Sequence, residues 1–237
     1  MQTFTERAQC TSNFVFSDGS SAYLGQAPYC SGTGSSADTN GCTSGSVPIG
    51  TPVDVTGASK PGTLVYDSWL TMQADRERDA RPVSSTTSPW SGSNPADVPN
   101  VNPYVPGFGG PTRVGSVGGL GSRVYSYGKL GAARRRHQAE PEAGGHLREH
   151  RRRPQPRGLH PDLRDPGDSG SGFGNGSGRA IVVLSSLELA PTPAATGVGD
   201  LGNEIAYMDA HSPFGAVDLV PGTEPFNPNL VGAILGG

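Results

Sequence analysis

Residues 167–184 read GDSGSGFGNGSGRAIVVL, and this stretch decides which fold we expect. It begins with a polar loop, Gly167-Asp168-Ser169-Gly170, and ends with the apolar run at 180–184. Short apolar runs rich in β-branched residues are typical of buried strands. The Gly-rich residues 172–178 lack the spacing and context of a phosphate-binding loop, so they predict the turn of a β-hairpin.

The composition agrees with a β-rich protein. The chain has 237 residues, of which 36 are Gly and 22 are Pro, while hydrophobic residues make up 33% and charged residues 16%. Strong helix formers are too scarce for a helix bundle, and a net charge of −3 is too small for a charged disordered chain. The length suits one large domain or two small ones. We therefore expect an all-β fold with many turns.

Strand-like and turn-like segments alternate along the chain. The predicted strands lie at residues 13–16, 22–24, 63–66, 123–127 and 180–184, with Gly, Ser, Asp and Pro between many of them. Near the end, Leu201, Ile205 and Met208 are spaced as one face of a helix. This pattern predicts one short C-terminal helix.

Targeting signals and cysteines give further expectations. No apolar run approaches 18 residues, so we expect no membrane span. Residues 1–7 lack the apolar stretch of a signal peptide, and Met1 could be an internal start. Three cysteines allow one disulfide and leave one thiol.

Residues 129–165 differ from the rest of the chain. They contain no Ser, Thr, Val, Ile, Phe, Tyr or Trp, but they hold nine of the sixteen arginines and four of the five histidines. A segment without β-branched or aromatic residues is a poor strand and buries little apolar surface. We therefore expect this segment to be irregular, exposed and outside any sheet.

Two other interpretations of this segment are weaker. The arginines at 134–136 and 151–153 could neutralise phosphates, but no aromatic residue between them could stack on bases, so we expect no nucleic-acid partner. His146-Leu147-Arg148-Glu149-His150 matches a zinc-peptidase pattern. Glycines at 144–145 and Pro154 leave little room for the helix that this pattern needs, so we expect no catalytic metal. We also expect Trp69 and Trp90 to be core or surface aromatics.

The loop Gly167-Asp168-Ser169-Gly170 resembles the nucleophile loop of chymotrypsin-like serine peptidases. The block that runs from Cys10 to Tyr29-Cys30 is similar to the strand–turn–strand of secreted bacterial members, which ends in Ala-Ala-His-Cys. Towards the end, the strand at 180–184, Ser185-Ser186, the glycines of 197–199 and the predicted helix follow the family's order. The resemblance covers residues 10–75 and 95–220 in pieces and leaves out the Arg-rich segment.

The resemblance implies a fold of two antiparallel six-stranded β-barrels with a short C-terminal helix. The first barrel would cover residues 8–100, altered near 76–94, and the second residues 110–220, interrupted by the irregular 129–165. Residues 221–237 would form a flexible tail. It also implies a disulfide between Cys10 and Cys30, which leaves Cys42 as the free thiol.

The resemblance further implies peptide-bond hydrolysis by acyl transfer, without a cofactor. Ser169 would be the nucleophile, and the N–H groups of Gly167 and Ser169 would form the oxyanion hole. Family members of this type are secreted, and we expect a monomer that acts on peptides or proteins.

Two departures from the family pattern argue against full activity. Tyr29 stands where the family has its catalytic His, and phenols are poor bases near neutral pH. The strand that carries the family's Asp is not recognisable among residues 82–93. We therefore expect an impaired or inactive peptidase homologue. The alternative is a non-catalytic secreted β-barrel protein that binds peptides.

One hypothesis, a reading frame that slips twice, explains both altered stretches. One choice of codons for residues 86–93, read in another frame, encodes Asp-Phe-Ala-Leu-Val-Arg-Leu, and residues 134–141 likewise yield Gly-Val-Ala-Thr-Lys-Leu-Ser-Pro. We expect the coding DNA to contain β-like strands in a second frame at these two places. Sequencing that DNA tests this, and no coherent strand in either other frame would refute it.

Overall fold

Fourteen β-strands and two α-helices build the part of the chain that the computed structural model describes. This part comprises residues 1–6, 8–33, 44–74, 90–92, 101–105, 108–118, 122–127, 141–149, 156–159, 170–188 and 195–227. The mostly β architecture agrees with the prediction from composition. All pairings between the named strands are antiparallel.

Eight strands form the first sheet, which we call the N-terminal sheet because seven of its strands precede residue 93. In order across the sheet, they are β14 (Asp218–Leu219), β3 (Val15–Ser17), β4 (Ala22–Gly25), β7 (Trp90–Gly92), β6 (Gly62–Tyr66), β5 (Pro52–Val55), β1 (Gln2–Thr5) and β2 (Ala8–Thr11). The strand β14 comes from the end of the chain and pairs with β3. The C-terminal end of the chain therefore returns to the N-terminal sheet.

Six strands form the second, C-terminal sheet. They are β8 (Arg123–Tyr127), β9 (Pro141–Glu149), β10 (Pro156–Leu159), β13 (Ala195–Asp200), β12 (Ala180–Glu188) and β11 (Gly172–Asn175), and their pairings form a closed ring. The prediction of two six-stranded barrels is not confirmed, because the N-terminal sheet has eight strands in an open order. The boundaries expected for the two domains remain predictions.

The expectation that residues 129–165 lie outside any sheet is wrong for two described parts of that segment. The strand β9 pairs with β8 on one side and with β10 on the other, and β10 also pairs with β13. Strand propensity depends strongly on context, and backbone hydrogen bonds to neighbouring strands do not require β-branched side chains. The arginines at 134–136 and 151–153 lie outside the described residues.

A strand also occupies part of the altered stretch near 76–94. The strand β7 pairs with β4 through Leu24 and Ser91 and with β6 through Leu64 and Ser91. It therefore lies between β4 and β6, two strands that the sequence predicts. The sequence pattern at 82–93 did not indicate this strand, because its Ser, Pro and Gly content is typical of turns.

Short polar side chains shape the two hairpins that the sequence predicts. Between β3 and β4, the Oδ1 atom of Asp18 accepts hydrogen bonds from the N–H groups of Ser20 and Ser21 at 2.8 and 2.7 Å. Between β11 and β12, the Oδ1 atom of Asn175 accepts from the N–H groups of Ser177 and Arg179 at 2.9 and 3.1 Å. These are the local bonds through which Asp and Asn favour turns, so the hairpin predicted for residues 172–178 is confirmed.

The largest hydrophobic cluster joins the two sheets. Its buried members come from β3, β4 and β6 of the N-terminal sheet, from β12 of the C-terminal sheet, from the C-terminal helix and from their flanking residues. They are Phe14, Phe16, Tyr23, Tyr66, Ala180, Val183, Leu201, Met208 and Val217. Apolar burial is the main favourable term in folding, so the two sheets share one core at this point.

Two helices pack beside this core. Helix α2 (Leu201–His211) confirms the predicted C-terminal helix, and Asp200 caps it by accepting a 3.0 Å hydrogen bond from the N–H of Asn203. Helix α1 (Ser68–Ala74) has only seven residues and was not predicted. As expected for a core aromatic, Trp69 is buried with Met72 and Tyr207. Neither helix is long and apolar enough to cross a membrane, as far as the described residues go.

Residues 221–227, the first part of the expected flexible tail, contact the rest of the protein, while the flexibility of the tail remains a prediction. The N–H of Gly222 donates to the carbonyl of Pro111 at 2.8 Å, and the N–H of Asn227 donates to that of Phe108 at 2.9 Å. The ring of Phe226 packs edge-on against Phe108 and Tyr125, with centroids 5.2 and 5.5 Å apart. Residues 228–237 lie outside the described part.

These contacts predict that Phe226 stabilises the fold. Phe226→Ala should lower the free energy of unfolding by about 1–2 kcal/mol, because the ring is half-buried. Chemical denaturation measures the change. Glu224→Ala is the matched control, since it removes an exposed side chain and should change stability by less than about 0.5 kcal/mol. Equal midpoints for Phe226→Ala and the unmodified protein would contradict the prediction.

Candidate functional site

A disulfide holds the first element of the candidate site. Cys10 and Cys30 are bridged, with their Cα atoms 6.0 Å apart, as the resemblance predicted. The bridge ties the end of β2 to a 3₁₀ turn, Pro28–Ser31, that follows β4. Both cysteines and Ala27 are buried. Closing a loop of about 20 residues contributes about 3 kcal/mol in the chain-entropy account. Cys42, the predicted free thiol, lies outside the described residues.

Tyr29 lies in this 3₁₀ turn, and its side chain is 45% exposed. Its carbonyl accepts a 3.0 Å hydrogen bond from the N–H of Gly32, which closes the turn. Among the residues that the structure describes, no carboxylate is hydrogen-bonded to its phenol. The turn therefore presents the phenol of Tyr29 to solvent, and its correspondence to a catalytic His remains a prediction.

Gly170 forms the second element of the candidate site. Its φ of +95° lies in the left-handed region that favours glycine. Its N–H donates to the carbonyl of Leu184 at 2.8 Å, which holds it to β12. A Cβ atom here would lie 2.2 Å from the carbonyl oxygen of Thr11 and 3.1 Å from the nitrogen of Ala27. Only glycine fits between these backbones.

The contact of Gly170 with Ala27 brings two predicted parts of the site together. Ala27 is two residues from Tyr29, and Gly170 follows Ser169 in the chain. Gly167, Asp168 and Ser169 themselves lie outside the described residues. The nucleophile and the oxyanion hole therefore remain predictions, while the end of their loop lies against the start of the 3₁₀ turn.

Residues 44–47 form a third element of the candidate site, which sequence reasoning missed, and they are hydrogen-bonded to the 3₁₀ turn. We call residues 44–47 the clip, because they bind both the turn and helix α1. On one side, the N–H of Val47 donates to the carbonyl of Ser31 at 2.8 Å, and on the other, the Nε2 atom of Gln73 donates to the carbonyl of Ser44 at 2.8 Å. No local motif marks the clip, because its partners are distant in sequence.

Asp67 connects the clip to helix α1. It lies just before the helix and its Oδ1 atom accepts a 2.8 Å hydrogen bond from the N–H of Trp69, as a helix cap does. Its Oδ2 atom accepts a hydrogen bond from the hydroxyl of Ser46 in the clip. The carboxylate is 1% exposed. Burial raises the pKa of Asp67 above its ordinary 3.8, against the opposing effect of these hydrogen bonds.

The zinc-peptidase pattern does not form the helical site that it requires. Residues 141–149 form strand β9, in which His146 pairs with Arg123. A strand rises about 3.3 Å per residue, so two residues four apart lie roughly 13 Å from each other along it, whereas on a helix they are neighbours. His150 lies outside the described residues, and the described residues contain no cluster suited to a metal ion.

Structural comparison relates the chain to bacterial proteases. The crystal structure of Thermobifida fusca Protease A aligns with a TM-score of 0.56 and 16% identity over 93% of this chain and 96% of that one. A thermostable serine protease, AL20, from an extremophilic microorganism aligns at 0.49 and 13% identity, covering 84% of this chain and 88% of its own. A glutamic acid-specific serine protease aligns at 0.45 and 11%, covering 92% and 97%.

The first alignment shows that the chain has a fold like that of Protease A, in agreement with the fold that the resemblance predicted. The TM-scores of the other two are below 0.5, so the assignment rests on Protease A. No protein-family model and no curated protein sequence matches the chain. An identity of 16% supports a shared fold only. The chemistry of this chain has to be argued from the residues of its own site.

The close approach at Gly170 predicts a large steric effect of a single methyl group. Gly170→Ala should cost about 1–3 kcal/mol more than Gly19→Ala, because the new Cβ meets the Thr11 carbonyl. Gly19 is the matched control, since its φ is +89° and nothing lies within 4 Å of its Cβ position. Urea denaturation of both variants measures the difference. Equal costs would show that the two backbones are not in contact.

Proposed function

We propose that the chain is a serine-endopeptidase homologue that binds peptides between its two sheets and hydrolyses them at a strongly reduced rate. The observation that carries this proposal is the contact of Gly170 with Ala27. It brings the end of the Gly-Asp-Ser-Gly loop against the disulfide-bridged turn of Tyr29, within the fold of a bacterial serine protease.

The proposed chemistry is acyl transfer to Ser169. The Ser169 hydroxyl would attack the carbonyl carbon of a peptide bond, and the N–H groups of Gly167 and Ser169 would donate to the resulting oxyanion. Ser169 is joined directly to Gly170, the described residue that approaches the turn. The resemblance supports these roles.

Tyr29 limits this reaction. A serine hydroxyl becomes a strong nucleophile when an adjacent base takes its proton. A neutral phenol already carries its own proton and is a poor acceptor near neutral pH. Enzymes of this type that lose members of their triad keep about 10³–10⁴-fold acceleration over water, from the oxyanion hole and binding. We propose that hydrolysis by this chain is accelerated over water by no more than this residual factor.

The proposed substrates and the proposed secretion rest on the resemblance to chymotrypsin-like serine peptidases. We propose peptides or proteins as substrates, a secreted monomer, and no cofactor, metal, membrane or nucleic acid as partner. The domain boundaries near residues 100 and 110 and the slipped reading frame belong to the same proposal. A slipped frame accounts for the missing Asp-bearing strand without selection for another chemistry.

The exposure of Tyr29 favours a second candidate function. An exposed aromatic ring on a rigid turn offers apolar contact area with one polar end. Such a ring suits the binding of a peptide side chain better than proton transfer. A non-catalytic, peptide-binding β-protein is therefore the alternative.

We expect a fluorophosphonate probe to label the unmodified chain slowly, because the phenol of Tyr29 is a poor base for activating Ser169. Tyr29→His alone should raise labelling only slightly, since an unoriented imidazole favours the wrong tautomer. Restoring both the His and the Asp-bearing strand should raise labelling by orders of magnitude. Intact mass spectrometry measures the labelled fraction over time, and Ser169→Ala is the control that should remain unlabelled.

Two outcomes decide between the candidates. Rapid labelling of the unmodified chain that depends on Ser169 would show that another base substitutes, and the reduced rate would be wrong. Peptide binding that is equal in Ser169→Ala and the unmodified chain, with no hydrolysis in either, would favour the non-catalytic function.

A further inference from the structure

We infer that Asp67 and Ser46 form a proton-controlled hydrogen-bond relay that reaches the 3₁₀ turn of Tyr29. Ser46 lies between two acceptors. Its Oγ atom is within hydrogen-bond distance of the Asp67 Oδ2 atom and 3.2 Å from the carbonyl oxygen of Ser31. Ser31 is the last residue of the turn. The inference goes beyond the proposed function and does not depend on hydrolysis.

The relay follows from the number of protons that a serine can donate. A hydroxyl has one O–H donor, so Ser46 can donate to Asp67 or to Ser31 but not fully to both. An ionised carboxylate is an acceptor only, and hydrogen bonds to it are about twice as strong as neutral ones. With Asp67 ionised, the Ser46 proton therefore points to Asp67. The Ser31 carbonyl then keeps the N–H of Val47 as its donor.

Protonation of Asp67 reverses this arrangement. The Oδ1 atom of Asp67 accepts from the backbone N–H of Trp69, which can only donate, so the added proton resides on Oδ2. Oδ2–H then donates to the Ser46 oxygen, and the Ser46 proton turns to the Ser31 carbonyl. One proton is taken up, and one hydrogen bond to the 3₁₀ turn is gained. Helix α1 and the turn are then joined through two consecutive O–H donors.

The surroundings of Asp67 favour such a switch. Ser31 and Asp67 are each 1% exposed, so both acceptors of the Ser46 hydroxyl are buried, while Ser46 itself is partly buried. Tyr66 is the adjacent titratable group, and burial raises the pKa of its phenol, with a smaller contribution from the charge of Asp67. On helix α2, Tyr207 and Glu204 act on the same phenol. His211 stacks on Tyr207 at the end of that helix.

The consequence concerns the turn that carries Tyr29. Besides its hydrogen bonds to the clip, the turn is held by the disulfide at Cys30 and by Gln26, whose Nε2 atom donates to the Ser31 hydroxyl at 3.2 Å. Acidification adds the bond from Ser46, and a rise in pH removes it. The hold on the turn beside Gly170 is therefore tighter in acid, without any large movement of the chain.

Carbon-13 NMR of the folded protein tests the relay directly. The Ser31 carbonyl resonance, observed through the amide of Gly32, should titrate with the same midpoint as the Asp67 carboxyl carbon. That midpoint should lie above 3.8, the ordinary value, because burial disfavours the charged form. The titration starts below the ordinary value of 3.8 and continues upward over the pH range in which the protein remains folded.

Two variants separate the relay from a general effect of acid. In Ser46→Ala, Asp67 should still titrate while the Ser31 carbonyl no longer responds. In Asp67→Asn, the amide nitrogen imitates the protonated acid, so the Ser31 resonance should stay at its acid position at every pH. Asp54→Asn removes an exposed carboxylate on β5 and is the matched control, in which the Ser31 titration should be unchanged.

Three results would overturn the relay. The first is a Ser31 carbonyl that stays constant while Asp67 titrates in the unmodified protein. The second is a Ser31 titration that persists in Ser46→Ala. The third is an Asp67 carboxyl that does not change charge within the range while the protein remains folded. If Asp67→Asn fails to fold, the unmodified protein and Ser46→Ala still decide the question.

Discussion

The close approach of Gly170 to the backbone of Thr11 and Ala27 is the constraint on which the candidate site depends. A side chain at residue 170 would collide with a carbonyl oxygen, and the positive φ already favours glycine. Because Gly170 is also hydrogen-bonded to Leu184, this contact joins strand β12 of one sheet to the bridged turn of the other. The shared hydrophobic core keeps the two sheets in this arrangement. The site thus rests on backbone packing rather than on paired side chains.

Several contacts from distant parts of the chain hold the 3₁₀ turn that carries Tyr29. The disulfide, the clip and the buried Asp67 all converge on four residues, one of which is the exposed Tyr29. The support of this turn therefore comes from covalent and hydrogen-bonded contacts with residues that are distant in sequence. Whether Tyr29 takes the place of a catalytic residue belongs to the proposed function.

Local sequence patterns predicted the turns that short polar side chains stabilise and the helix whose apolar residues recur with helical spacing. The hairpin turns at Asp18 and Asn175 and the helix of Leu201 and Met208 follow from bonds or contacts within a few residues. The strands β7, β9 and β10 were missed because their residues favour turns or exposed loops, and they pair only where neighbouring strands offer backbone partners. Helix α1 is too short for periodicity to reveal it.

The amino-acid sequence was sufficient to indicate the fold and the Cys10–Cys30 bridge, because each follows from residue type and order. That Tyr29 replaces the expected base remains a prediction from the sequence. Tertiary structure alone decided that Gly170 approaches the backbone of Thr11 and Ala27, that residues 221–227 are hydrogen-bonded to Phe108 and Pro111, and that Ser46 lies between Asp67 and Ser31. These contacts join residues that are far apart in sequence. Their cost or benefit depends on burial and distance, and neither is encoded in any local pattern.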